Sequence, residues 1–142
     1  MTAEQVVRGF FQEVRSGQAP DNAHLYMAPL VLAHQMNSEN PVTVRRTPQE
    51  YADHVREMQA AYGTFQLEIQ ELIAGEDKVY VRWKQSGKHV GPAEGFAASG
   101  KEVIELASAV YRIDHDRIVE YWIQIDRLGI LEQMKKNSET LI

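Results

Sequence analysis

The chain has 142 residues, a formal net charge of −5 and no cysteine. That length suits one domain, expected over residues 1–142, and the acidic balance without a long basic run argues against a nucleic-acid partner. The missing cysteine excludes disulfides, thiolate metal sites and cysteine nucleophiles. No segment approaches the ~20 apolar residues of a membrane span. Met1 to Arg15 lacks the basic head and apolar run of a signal peptide, so the expected location is the cytoplasm.

Thr2-Ala3-Glu4-Gln5 opens a helix, and Val6, Val7, Phe10, Phe11 and Val14 recur at helical spacing to about Arg15. Ser16-Gly17 stops it. Asp21 caps a short helix from Asn22 to Met27, and Leu30 to Gln35 reads as a short apolar strand. Met36 to Thr47 reads as a polar loop. Thr47-Pro48-Gln49-Glu50 is a strong helix start, and Gly63 closes that helix after Tyr51, Val55, Met58 and Tyr62. From there the period changes to two. Strands are expected at Phe65–Ile69, Lys78–Lys88, Lys101–Ile113 and Ile118–Ile125, with a loop rich in Gly, Pro and Ala from His89 to Gly100. Leu128 to Lys136 closes the chain as a helix. Helices, then an antiparallel meander, then a short helix make an α+β fold whose curved sheet wraps around the N-terminal helices.

The last strand attracts attention. Alternation places Glu120, Trp122, Gln124 and Asp126 on one side, and Tyr121, Ile123 and Ile125 on the other. The first set offers an aromatic plate, an amide and an acid, which suits a pocket that holds a ring and moves a proton. The second reads as a packing surface. Asp126 has another reading: it stands just before Leu128 and suits the cap of the closing helix.

Several segments together resemble the SnoaL-like polyketide cyclases of the nuclear transport factor 2-like superfamily. They include Ala28 to His34, Val81-Arg82-Trp83, Gly87-Lys88-His89-Val90-Gly91, Ser99 to Val103, Arg117 to Trp122 and Asp126 to Met134. The resemblance runs from about Val6 to Met134 and implies a cone-shaped α+β domain. It also implies a cofactor-independent cyclase that closes a ring by intramolecular aldol addition. Asp126 matches the family's acid/base, and His89 and His34 match cavity histidines. Trp122, Gln124, Trp83 and Gln85 would then contact substrate. The residue after the tryptophan, often acidic in the family, is Ile123, and the second residue of an often doubled histidine is Gln35.

The expected partner is a hydrophobic, carbonyl-bearing small molecule, with no nucleic acid, membrane, metal or cofactor. His34, His89 and Asp126 lack metal-ligand spacing. His24, His54 and His115 look exposed and receive no role. A homodimer through the open sheet face is expected, with Tyr80, Arg82, Ala107, Ala109, Tyr111, Tyr121 and Ile123 at outward parity. Rival readings are a related isomerase or dehydratase, an epoxide hydrolase using Arg112, or a non-catalytic ligand-binding or protein-interaction module.

Overall fold

The computed structural model describes residues 1–139; the last three positions of the expected domain lie outside the described residues. Helix α1 spans Ala3–Gly9 and continues as a π-helical turn, Phe10–Arg15. Thr2 and Gln5 cap its start reciprocally, as the sequence suggested. The π turn carries a five-residue bond, from the Ser16 N–H to the Phe11 carbonyl at 3.0 Å. Phe10, Phe11, Val14 and Arg15 are all buried by it. A 3₁₀ turn, Pro20–Leu25, follows.

The strands are β1 (Met27–Gln35), β2 (Val42–Arg46), β3 (Gln66–Ala74), β4 (Lys78–Lys88), β5 (Glu102–Asp114) and β6 (Arg117–Ile125). They form one six-stranded curved sheet in the order β2-β1-β6-β5-β4-β3. β1 runs parallel to β6, and the other neighbours are antiparallel. Strand β2 corrects the expected polar loop: Val42 and Val44 alternate with Thr43 and pair along β1 from Val42↔Gln35 to Arg46↔Val31. The polar flanks hid a short edge strand.

One face of the sheet carries the core. Val79, Val81 and Trp83 of β4, Ala107, Ala109 and Tyr111 of β5, and Tyr121 of β6 point to it. Helix α1 fills that concavity with aromatic contacts. Phe11 meets Trp83 at 5.2 Å, and Phe10 meets Tyr111 at 5.7 Å between ring centroids. The expected outward set is therefore corrected. Tyr80 and Arg82 do face out, but Ala107, Ala109, Tyr111, Tyr121 and Ile123 face the core.

Helix α2, Pro48–Tyr62, begins at the Thr47–Glu50 capping box and ends at Gly63, whose φ of +69° needs a glycine. It lies across the same concave side, burying Tyr51 and Val55. Its C-terminal end meets β4 with little room. A Cβ on Gly87 would stand 2.8 Å from the Tyr62 Cβ, and one on Gly91 would stand 2.3 Å from the Ala60 carbonyl oxygen. These two glycines let the strand end slide beneath the helix, and His89 lies between them.

Helix α3, Arg127–Glu139, runs beside the end of β5 that β6 leaves unpaired. The Gln133 side chain replaces the missing strand. It accepts from the Ile104 N–H and donates to the Ile104 carbonyl, both at 2.8 Å. Among the described residues, no helix is long and apolar enough to cross a membrane.

Candidate functional site

The concave face holds a row of polar side chains beneath α2. At one end is His89, which continues the inward series Val79, Val81, Trp83, Gln85, Gly87. Its backbone exchanges hydrogen bonds with Lys101 and Gly100, and the next residue, Val90, donates to the Ala61 carbonyl of α2 at 2.9 Å. The strand end is thus clamped from both sides. The His89 side chain is fully covered, and neither ring nitrogen has a hydrogen-bond partner among the described residues. Tyr62 is its aromatic neighbour, 6.4 Å between centroids. Burial, then Glu94 and Glu105, push the Tyr62 phenol up to about 12, so it remains a neutral donor near pH 7. A cavity of about 320 Å³ opens beside this end, lined in part by Tyr62, Gly87, Lys88 and Val90.

In the middle is a buried ion pair. Arg15 donates to the Gln85 amide oxygen at 2.7 Å and to Glu105 Oε2 at 2.9 Å. The Trp83 indole N–H donates to the same oxygen at 3.1 Å. The Arg15 guanidinium also lies 5.5 Å from the Trp83 ring and 5.8 Å from the Phe65 ring. Both charges are covered, which is tolerable because each is paired and further hydrogen-bonded. Trp83 and Gln85, expected to touch substrate, are on the right face. Their polar groups are engaged by Glu105 and Arg15, and the indole is sealed from solvent.

At the other end stand Arg46 of β2 and His54 of α2. Together with Val44, Glu50, Asp53 and Glu57 they line a second cavity of about 320 Å³. Burial, reinforced by the positive charges of Arg46 and Arg15, brings the His54 imidazole down to about 4. It is neutral near pH 7. The sequence reading gave His54 no role, yet Tyr51, His54, Val55, Met58 and Tyr62 follow the helical spacing that marks the inward face. The sequence reading gives Arg15 and Glu105 no role either.

The outer face holds the rest of the expected site. His34 Nε2 contacts Glu120 Oε2 at 2.6 Å, its Nδ1 contacts the Thr43 hydroxyl at 2.8 Å, and its ring stacks on Trp122 at 5.2 Å. Arg112 donates to the other Glu120 oxygen at 3.0 Å. The hydrogen bond from His34, then that from Arg112, hold the Glu120 carboxyl below the usual carboxylate range. Gln124 is exposed. Asp126 is exposed, and its Oδ1 accepts the Gly129 N–H at 3.0 Å, the cap geometry of α3. The expected shared face is thus corrected. His34, Trp122, Gln124 and Asp126 lie outside, and His89, Trp83 and Gln85 lie inside, with the sheet between them. Packing surface and concavity are one face, so the apolar set Tyr121, Ile123 and Ile125 marks the inside. Among the described residues no group of three His, Asp or Glu side chains is placed to hold a metal ion.

No curated protein matches the sequence. Among solved structures, a candidate polyketide cyclase from Acidithiobacillus ferrooxidans is similar, with 26% identity, a TM-score of 0.82 and 95% of each chain covered. IdmH, a candidate polyketide cyclase from Streptomyces antibioticus, has 19% identity and a TM-score of 0.79, covering 95% of this chain and 99% of its own. AclR from Streptomyces galilaeus, a candidate hydroxylase, has 18% identity and a TM-score of 0.77, with 94% and 96% covered. The last two show the fold alone. The family model for the SnoaL-like polyketide cyclases matches residues 5–134, and with the cone-shaped architecture this places the chain in that family.

Proposed function

We propose that the chain is a cyclase-type enzyme acting on a hydrophobic, carbonyl-bearing molecule held on the concave face beneath α2. The observation that carries the reading is His89, buried on that face with both ring nitrogens unpartnered among the described residues. A buried imidazole without partners is costly, and a bound carbonyl or hydroxyl would satisfy it. Membership of a family of polyketide cyclases supports the cyclase reading.

Ring closure by aldol addition needs few groups. A base takes a proton from the carbon beside one carbonyl, and the enolate electrons form a carbon–carbon bond to a second carbonyl. The new alkoxide then takes up the proton. An imidazole can both take up and give back a proton, which suits both transfers. In this reading His89 moves the proton, and the Tyr62 phenol donates to the carbonyl oxygen. Asp126 serves as a helix cap. Holding both reacting carbons together supplies the remainder of the acceleration.

The same reading takes the outer face as a homodimer surface. Leu30, Ile73 and Leu106 are 50%, 59% and 46% exposed, and the His34–Trp122 stack lies on the same outer face. A monomeric elution at micromolar concentration counts against it.

The central experiment is a thermal-shift and mass-spectrometry screen of aromatic, polyketide-like ketones, followed by turnover assays of His89→Asn. Turnover is expected to fall at least about tenfold in the variant with its melting temperature held. Wild-type turnover in His89→Asn would refute the assignment.

A further inference from the structure

The site beneath α2 has a second, charged end, whose role in recognition rests on the reading of that concave face as a ligand site. Arg46 is the last residue of β2 and pairs with Val31, which places its side chain inward, whereas Arg45 beside it points out. Its Nε is covered from solvent and has no hydrogen-bond partner among the described residues. Arg15, by contrast, is satisfied by Gln85 and Glu105. No ion pair is formed by Arg46 among the described residues, so its charge inside the concavity is uncompensated by direct contact.

The carboxylates on the rim of the same cavity do not supply that contact. Glu50 is held by the Thr47 N–H and hydroxyl in the capping box. Asp53 accepts from Gln49 and from Arg56. Glu57 is exposed at the rim. His54 shares the cavity with Arg46 and remains neutral near pH 7, so it can donate one hydrogen bond without adding charge. A guanidinium edge made of Nε and one terminal nitrogen matches the two oxygens of a carboxylate, with two parallel hydrogen bonds. Val44 on the cavity wall offers apolar surface for a ring beside it.

We propose that Arg46 and His54 form an anion-recognising end of the site, and that the molecule bound there is a hydrophobic free carboxylic acid in preference to its neutral ester. Arg46 grips both carboxylate oxygens, and His54 donates to one of them. The apolar body of the molecule then lies against Val44 on the cavity wall.

The test uses a graded series of aromatic acids, from benzoate to anthracene-2-carboxylate, each with its methyl ester, titrated by calorimetry into the full chain. Wild type is expected to bind the acids at least tenfold more tightly than the esters. Arg46→Gln is expected to erase that preference while retaining ester affinity. Arg46→Lys, which keeps charge and loses the fork, recovers part of it, and Arg45→Gln, which removes a neighbouring outward charge, leaves it unchanged. Melting curves confirm that the variants fold. Equal affinity for acids and esters, or an acid preference that survives Arg46→Gln, overturns the anion end and leaves the apolar site standing. Failure of every acid and ester to bind natively folded wild type overturns both readings.

Discussion

Asp126 separates two accounts of this chain, and one substitution pair decides between them. In the structure its carboxylate accepts the Gly129 N–H at the start of α3, on the side of the sheet away from the concavity. A Cβ on Gly129 would stand 2.2 Å from Asp126 Oδ2, so the carboxylate sits tightly over the first turn. Asp126→Ala therefore removes a cap worth about 1 kcal/mol. In a domain of this size that is roughly 2–4 °C of melting temperature. Asp126→Asn keeps a good capping oxygen and is expected to melt within about 1 °C of wild type, since Asn caps as well as Asp. A proton shuttle behaves in the opposite order: Asn, which keeps shape and loses basicity, would lower turnover by roughly 10²–10⁴-fold. The assay is thermal unfolding of both variants beside turnover of the ketone returned by the ligand screen. Loss of stability in Ala alone, with turnover retained in Asn, is the expected pattern. A tenfold or larger loss of turnover in Asp126→Asn at unchanged stability would refute the outward placement of the acid as functionally meaningful.

Three further outcomes come from the geometry. Gln133→Ala strips both hydrogen bonds from the Ile104 backbone at the unpaired end of β5, and at about 1 kcal/mol each it is expected to cost about 2 kcal/mol in urea unfolding, with faster amide exchange at Ile104. His54 binds its proton at about 4 in the folded chain against 6.5 unfolded, so the unfolded state takes up protons first as pH falls. Stability is expected to be flat above about pH 6.5 and to decline toward pH 4 by at most about 3 kcal/mol, and His54→Asn is expected to flatten that arm. Glu120 titrates below its ordinary 4.5, so its contribution is present above that pH and is lost as pH falls through the lower folded value. Glu120→Gln is expected to remove that part of the acid transition and to loosen His34, seen as a shift in its ring resonances.

The architecture was legible because its signals are local and repeated. The Thr47 capping box, the Gly63 stop and the alternation of Lys78–Lys88 each name an element without help from the rest of the chain. The family followed from the order of weak motifs, and Gly87-x-His89-x-Gly91 acquires a physical reason in the closeness of α2. Facing was not legible. Period two divides β6 into two sets, but it does not say which set meets the helices. Trp122 and Asp126 looked like a pocket because aromatic and acidic groups usually belong to one, and the outer cluster with His34, Thr43 and Arg112 uses the same vocabulary. Edge strand β2 failed for a related reason, since its exposed Thr43 and Arg45 resemble loop residues.

The inward orientation of Ile123 has a consequence for where chemistry resides. Ile123 follows Trp122, where the family often has an acid, and it packs against the core between Tyr121 and Ile125. An acid there would face the concavity, and isoleucine does not. Glu105 is inward, but its Oε2 is already taken by hydrogen bonds from Arg15 and Trp83. The proton-handling groups left on the concave side are imidazoles and phenols: His89 and Tyr62 at the glycine clamp, His54 near Arg46. Helix α2 carries Tyr62 and His54, and its C-terminal end presses on the two glycines that flank His89. In the proposed reading the centre of the reaction lies at that helix and not on the last strand. Substitutions in α2 that leave its caps intact should therefore change turnover more than outward substitutions in β6, and Tyr62→Phe against Gln124→Ala is the direct comparison. Equal turnover in both would place the chemistry elsewhere.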